Sequence, residues 1–220
     1  MTFRGFPPEA FAFYEGLEAD NSKPYWVAHK EQYEQTVRDP MRALTDALGP
    51  RWGAFHLFRP HRDVRFAKDK SPYKTAQGAV GEGEGGTQYY VQVSAAGLMI
   101  ASGLYLMATD QFERFRAAVD APRTGTALAR AVSQARADGW DCSPRDPLKT
   151  APRGYAKDHP RIELLRGKGL TTGRMFPPAK WMHTAKVRDR VEAAWKAAAP
   201  VNRWLERHVG PSTTPPPEPD

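Results

Sequence analysis

The pattern of hydrophobic and polar positions predicts helices at both ends of the chain and β-strands between them. In the first third, apolar residues recur at helical spacing in three segments that begin near Pro8, Pro24 and Asp39. The third of these helices is predicted to end at Gly49, and Asp39 is predicted to cap its start. Near the other end, residues 187–205 show the spacing of a long amphipathic helix.

The strongest strand signal is the run from Gln88 to Tyr105, in which apolar and polar side chains alternate on either side of a short turn. This run predicts an antiparallel hairpin in a core sheet. Weaker strand candidates precede it at 54–59 and 62–67, and a short one follows at 148–150. The glycine-rich segment 78–87 predicts a mobile loop between them.

Further helices are predicted after the hairpin. One begins at Thr109, another spans Thr126 to Gly139, and a short one starts at 158–160. Helices flanking a run of antiparallel strands are typical of the α+β class, so we expect helices packed on an antiparallel sheet in a single domain over residues 1–209. Residues 210–220 are rich in proline and are predicted to form a disordered tail.

Composition narrows the class of protein. The chain has 220 residues with 40% hydrophobic content, which is enough for a core. Its single cysteine, Cys142, cannot form an intrachain disulfide, which suits a cytoplasmic protein, and the first residues do not read as a signal peptide. Residues 89–108 are the longest apolar stretch, but glycines and polar residues interrupt it, so no membrane span is expected.

The net charge of +7 permits acidic partners, and the stretch from Arg59 to Thr75 concentrates that charge. It surrounds the apolar pair Val64 and Phe66 with six cations and two carboxylates. The cations are Arg59, Arg62, Arg65, Lys68, Lys70 and Lys74, and the carboxylates are Asp63 and Asp69. Arginine offers a planar fork that suits phosphate or carboxylate, and lysine offers a point charge.

Local geometry predicts how this stretch is arranged. If residues 62–67 are extended, side chains alternate, and Asp63 and Arg65 lie side by side on the face opposite Val64. The following Ser71 and Pro72 predict a tight turn or a helix start capped by Ser71.

The same residues carry a resemblance to a known family. The run Arg59-x-x-Arg62-Asp63-x-Arg65-Phe66-x-x-Asp69-Lys70-x-x-Tyr73 resembles the signature of an uncharacterised bacterial and fungal family, the domain of unknown function 2461. The likeness extends over most of the chain, to residues 6–8, 21–26, 152–155 and 158–160. It implies no particular activity, substrate or cofactor.

The favoured hypothesis is a basic pocket that binds a small molecule carrying phosphate or carboxylate, with or without catalysis. The predicted ligand-binding residues are Arg59, Arg62, Arg65, Lys68, Asp69, Lys70, Lys74 and Arg153. The candidates for catalysis are Asp63, Tyr73 and His159: Asp63 would orient Arg65 or act as a base, and Tyr73 would donate a hydrogen bond. The histidines are scattered and show no zinc spacing, so no metal site is predicted, and the cofactor stays unknown.

Two alternatives remain open from the sequence. The charge, together with Tyr73, Tyr89, Tyr90 and Tyr105, could form a cationic stacking surface for nucleic acid, although the cations are interleaved with aspartates and no nucleic-acid motif is present. Alternatively, the charges form a network that only fixes the fold of a structural or partner-binding module.

Overall fold

The structure is a computed structural model that describes residues 2–65, 69–83 and 85–213. It confirms the α+β class, with one antiparallel sheet and helices packed on it. The helices are α1 (Pro8–Ala19), α2 (Lys23–Tyr33), α3 (Asp39–Trp52), α4 (Thr109–Asp120), α5 (Pro122–Ala137), α6 (Ile162–Arg166), α7 (Lys186–Ala197) and α8 (Ala199–His208). The strands are β1 (Phe55–Leu57), β2 (Ala76–Glu82), β3 (Gln88–Ser94), β4 (Gly97–Leu104), β5 (Asp141–Arg145) and β6 (Gly169–Phe176).

Within the described ranges, the strands form one six-stranded sheet in the order β1-β2-β3-β4-β6-β5, and every neighbouring pair is antiparallel. The predicted hairpin at 88–105 is confirmed as β3 and β4, with Val91 opposite Ile100. Because the hairpin lies in the middle of the sheet, it carries the centre of the core.

The two faces of the sheet differ in burial. Val91, Val93, Leu98 and Ile100 point to the helices and are fully buried. The side chains of Tyr90, Gln92, Met99 and Ala101 alternate with these and point to the other face, where they are only partly buried and lie outside the hydrophobic core. We call this side the open face, and its central residues are Val80, Tyr90, Gln92, Met99 and Ala101.

The N-terminal helices do not break where the sequence predicts. A π-helical segment, Glu34–Arg38, joins α2 to α3 without interruption, and the backbone N–H of Asp39 donates to the carbonyl of Glu34. The prediction that Asp39 caps a separate helix is therefore wrong. Pro40 has no N–H to donate, and hydrogen bonds that span five residues instead of four let the chain stay helical up to it. The predicted end at Gly49 is also wrong, since α3 continues to Trp52.

Half of the glycine-rich segment is a strand, so the loop prediction for 78–87 is wrong over residues 78–82. Residues 76–82 form β2. A Cβ on Gly78 would lie 2.6 Å from the Tyr90 hydroxyl, and one on Gly81 would lie 2.9 Å from the ring of Phe55. These glycines are strand positions over which aromatic rings pack. Residues 83 and 85–87 lie between β2 and β3, as the predicted loop would, and Glu84 lies outside the described residues.

The far edge of the sheet also departs from the prediction. The predicted strand at 148–150 is wrong, because the strand at this edge is β5, at residues 141–145. Its neighbour β6 has no counterpart in the predicted elements. Pro144 within β5 is tolerated because an edge strand needs hydrogen bonds on one side only.

The predicted helices after the hairpin are present, with α5 starting earlier, at Pro122, and the predicted long C-terminal helix divided into α7 and α8. Beyond α8, side chains of α4 hold residues 210–213: Gln111 donates to the carbonyl of Gly210 at 2.8 Å. Residues 214–220 lie outside the described residues, so the disorder of this tail stays a prediction. In the described chain, no helix has the length and apolar character needed to cross a membrane.

Candidate functional site

The charged stretch forms a two-stranded ribbon that continues outward from β1 and β2. The backbone N–H of Arg62 donates to the carbonyl of Pro72, and that of Lys74 donates to Pro60, both at 2.8 Å. His61 and Tyr73 form a bridging pair between these hydrogen bonds. We call residues 59–65 and 69–75 the ribbon. Phe66, Ala67 and Lys68 lie outside the described residues. The ligand-binding role predicted for Lys68 therefore stays a prediction.

One side of the ribbon is attached to the N-terminal helices. The ring of Tyr73 stacks on that of Trp26 with centroids 4.4 Å apart and an angle of 10°. The Asn21 side-chain amide pairs with the backbone of Tyr73, donating to its carbonyl and accepting from its N–H, each at 3.0 Å. Tyr73 is only 5% exposed. Its ring therefore anchors the ribbon and faces the core.

The predicted juxtaposition of Asp63 and Arg65 is confirmed at the tip of the ribbon. Arg65 Nη2 lies 2.6 Å from Asp63 Oδ2, Nε donates to the same carboxylate, and the backbone N–H of Arg65 donates to Oδ1 at 3.1 Å. The Arg65 side chain is 71% exposed. These hydrogen bonds lower the pKa of Asp63 to about 2. A carboxylate so occupied is a weak base, which argues against the base role.

This pair makes a testable prediction about pH. Because the pKa of Asp63 is lowered on folding from about 3.9 in an unfolded chain, its contribution to stability is present above pH 4 and is lost as the pH falls through its folded pKa of about 2. A carboxyl-carbon NMR titration should give that midpoint, and Arg65→Met should move it back towards about 4. An unchanged midpoint in Arg65→Met would show that the pair does not exist in solution.

The other carboxylate of the ribbon closes a turn. Asp69 Oδ1 accepts from the backbone N–H and the hydroxyl of Ser71, which lowers the pKa of Asp69, and Asp69 Oδ2 lies 2.6 Å from Arg62 Nη1. Lys70 Nζ donates to the carbonyl of Val64 at 2.8 Å. The alternative of a helix capped by Ser71 is wrong, because Asp69 uses the Ser71 hydroxyl to hold a tight turn instead.

Three cations gather at the base of the ribbon. Lys74 Nζ lies 5.2 Å from the centre of the Phe58 ring. Burial, and then the nearby charges of Arg59 and Arg62, lower the pKa of Lys74. In the described part of the chain, no carboxylate forms an ion pair with Lys74 or Arg59, and Arg62 has only Asp69. This cluster carries more positive charge than its surroundings neutralise.

The cation cluster borders the open face. The ring of Phe58 lies 6.3 Å from that of Tyr90, whose hydroxyl donates to Gln92 Oε1 at 2.6 Å. Burial, and to a smaller extent the neighbouring Tyr105, raises the pKa of Tyr90 to about 12, so its hydroxyl stays protonated at neutral pH. Tyr105 itself is 54% exposed, and the guanidinium of Arg145 lies 4.9 Å from its ring.

The remaining predicted residues lie apart from the ribbon. His159 packs between α4 and α6, where Nε2 lies 3.2 Å from Asp120 and Nδ1 accepts from the backbone of Arg161. Arg153 is exposed in the preceding turn. In the regions that the structure describes, no hydrogen bond, ion pair or ring contact connects either residue to the ribbon. His159 thus ties two helices together.

Sequence reasoning missed the residues that position the ribbon. Asn21 and Trp26 fall within the family-like segment at 21–26, which was the available signal, but nothing in the sequence indicates their contact with Tyr73. Phe58 beneath Lys74 gave no signal of its own. Across the described residues, no group of His, Cys, Asp or Glu side chains is placed to hold a metal ion.

Comparison with known proteins places most of the chain in one family. Residues 9–204 match the profile of a family described as a conserved hypothetical protein, the domain of unknown function 2461. No curated protein and no solved structure matches the chain. The comparisons therefore identify the family of the chain.

Proposed function

We propose that this chain, which belongs to the domain of unknown function 2461 family, binds an anionic small molecule through Arg59, Arg62 and Lys74. The ligand would carry phosphate or carboxylate and would lie where the ribbon meets the open face. The observation that carries the proposal is the group of three cations, of which Lys74 and Arg59 have no carboxylate partner among the described residues.

Electrostatics explain why this cluster favours an anion. Burial lowers the pKa of Lys74, and the nearby charges of Arg59 and Arg62 lower it further, because like charges that are partly buried repel one another. An anion among the cations would remove the repulsion and accept their hydrogen bonds. Arg62 is already positioned by Asp69, so it can offer its guanidinium without a large change.

The other residues predicted to bind the anion have a different role. Arg65 and Lys70 are engaged at the tip, with Asp63 and with the carbonyl of Val64. They supply longer-range attraction for an anion and do not define the binding position. The proposal is one of binding: Asp63 is held by Arg65 and Tyr73 is buried, so neither side chain is placed for acid or base chemistry on a ligand at Lys74.

Thermal shift measures the proposal directly. At ten times its dissociation constant, an anion should stabilise the protein by about 1.4 kcal/mol, or roughly 3–6 °C for a chain of this size. Inorganic phosphate, pyrophosphate and citrate would be compared with sodium chloride at equal ionic strength. Lys74→Met should lose this stabilisation and melt no lower than the parent without anion, because it removes a repulsive charge.

The matched control is Lys157→Met, which removes an exposed lysine in a turn away from the ribbon. It should keep the full anion response. If the parent gains nothing from any of the three anions, or if Lys74→Met responds like Lys157→Met, the cluster is structural and the proposal fails.

Binding of single-stranded nucleic acid is a second candidate. It is favoured by two aromatic rings that lie next to other stacking groups: the ring of Tyr90 lies 6.3 Å from that of Phe58, and the exposed ring of Tyr105 lies 4.9 Å from the guanidinium of Arg145. Aromatic rings of this kind receive stacked bases. The other two tyrosines of the predicted stacking surface, Tyr73 and Tyr89, point to the helices and are buried.

Salt separates the two candidates. Fluorescence anisotropy with a labelled oligothymidylate should show affinity falling steeply between about 50 and 200 mM salt if several phosphates are bound, and Tyr105→Ala should weaken it. A small-anion site alone should leave the oligonucleotide unbound at both salt concentrations. Its thermal response to phosphate should also survive Tyr105→Ala.

A further inference from the structure

A row of residues crosses the open face from the cation cluster towards the far edge of the sheet. The backbone N–H of Phe58 donates to the carbonyl of Gly78 at 3.0 Å, and Gly78 lies opposite Gln92. Gln92 lies opposite Met99, which in turn lies opposite Met175. We call these five residues the cross-strand row. Residues directly opposite one another share a face of the sheet, so the side chains of the row point to the same side.

The amide of Gln92 is only half used. Its Oε1 accepts from the Tyr90 hydroxyl at 2.6 Å. Burial raises the pKa of Tyr90, so this hydroxyl is a donor at neutral pH and fixes the orientation of the amide. In the described chain no group accepts from Gln92 Nε2, and this nitrogen is not one of the side-chain atoms closed off from solvent. Gln92 therefore presents an oriented donor that a ligand on the open face can reach.

Two methionine side chains continue the row beyond Gln92. Met175 is 42% exposed, and Met99 beside it is partly buried. The thioether of methionine is polarizable and makes favourable contacts with aromatic rings. The two side chains thus form an apolar surface on which a planar ring gains contact, directly beside the donor of Gln92.

The distance between the cations and this surface selects the shape of the ligand. Lys74 Nζ lies 5.2 Å from the centre of the Phe58 ring, and Gln92 is two strands further across the sheet. Neighbouring strands lie about 4.8 Å apart, so the cations and the amide are roughly 10 Å apart. A carboxylate joined directly to a ring is too short to reach both. A nucleoside phosphate is long enough, because a ribose separates its phosphate from its base.

We infer that the anion bound at the cation cluster is the phosphate of a nucleoside phosphate whose base lies on Met99 and Met175. This inference rests on the anion site proposed above and names the class of its ligand. Gln92 Nε2 would donate to an acceptor on the edge of the base, and the ribose would lie between them, beside the Tyr90 hydroxyl. Every base has such an acceptor, so the row selects nucleoside phosphates as a class and no particular base.

Calorimetric titration of the full chain with four probes tests this inference. Adenosine monophosphate has the base, the spacer and the phosphate. Ribose 5-phosphate lacks the base, adenosine lacks the phosphate, and nicotinate has a ring, an acceptor and a carboxylate without the spacer. We expect adenosine monophosphate to bind at least about tenfold more tightly than each of the other three, because only it reaches both the cations and the methionines.

Two variants locate the base. Gln92→Glu keeps the shape of the side chain and the acceptor for Tyr90, but it removes the donor. Met175→Ser shortens an exposed apolar side chain, so the fold should persist. Each should lower the ratio of the affinities for adenosine monophosphate and ribose 5-phosphate about threefold or more. Because both probes carry the same phosphate, this ratio removes the effect of a new charge on the anion.

The matched control is Thr171→Val, at a partly buried position on the same face of β6, four residues from Met175 along the strand. It should keep the full preference for adenosine monophosphate. A preference that persists in both Gln92→Glu and Met175→Ser would place the base elsewhere and overturn the inference.

The outcomes also separate this inference from the anion site on which it rests. If ribose 5-phosphate binds, Lys74→Met abolishes its binding, and adenosine monophosphate binds no more tightly, the anion site stands and the inference is wrong. If no probe gives a titratable heat at millimolar concentration, both are wrong. Nicotinate binding as tightly as adenosine monophosphate would overturn the argument from spacing. An oligothymidylate that binds more tightly than adenosine monophosphate, and that Gln92→Glu does not weaken, would show that the face takes nucleic acid instead.

Discussion

Val93→Asp should remove a large part of the stability of the folded chain. Val93 is fully buried on the helix-facing side of β3, opposite Gln77 on one strand and Leu98 on the other. An unpaired carboxylate there has no cation within the core, so we expect a loss of roughly 4 kcal/mol or more. Whole domains commonly have about 5–15 kcal/mol. Urea unfolding followed by circular dichroism would measure the loss.

The matched control is the same substitution on the other side of the sheet. Val80 lies on β2 and points to the open face, where it is partly exposed. Val80→Asp should cost only about 1 kcal/mol, because water reaches the new carboxylate. A large loss at Val80 would show that the open face is covered in solution. A small loss at Val93 would show that the register of the hairpin is wrong.

The sequence predicts the hairpin well because strict alternation is a local property. Residues 88–105 carry their own register, since each second side chain must be apolar on the buried face. The glycines of β2 indicate a loop when the sequence is considered alone. In the structure Gly78 and Gly81 lie in the strand because the rings of Tyr90 and Phe55 pack over them. A ring that packs over a glycine is a tertiary contact, and no local pattern contains it.

The candidate sites divide in the same way. The contact between Asp63 and Arg65 follows from spacing of two residues and is predictable. The contact of Asn21 with Tyr73 joins positions 52 residues apart, and the sheet places Met175 opposite Met99. Such encounters depend on how helices and strands come together, which the composition of each segment does not determine. Local charge indicated the ribbon, but nothing local indicated the cross-strand row.

The attachment of the ribbon leads to a second large effect, at Tyr73. Tyr73→Ala removes a buried ring that stacks on Trp26, and substitutions of this kind cost about 3–5 kcal/mol. The ribbon would lose its main apolar contact with α2, and the positions of Arg62 and Lys74 would no longer be fixed. We therefore expect the stabilisation by phosphate to disappear along with much of the stability. Tyr105→Ala, at an exposed ring, should cost little by comparison.

Tyr73→Phe separates anchoring from chemistry at the same residue. Among the residues described, the Tyr73 hydroxyl has no hydrogen-bond partner, so its removal should change stability by no more than about 0.5 kcal/mol. Because the ring faces Trp26 and not Lys74, the phosphate response in the thermal-shift assay should also persist. If Tyr73→Phe keeps its melting temperature but no longer responds to phosphate, the hydroxyl contacts the ligand. Tyr73 would then belong to the binding face of the ribbon, and the position proposed for the anion would have to move towards Trp26.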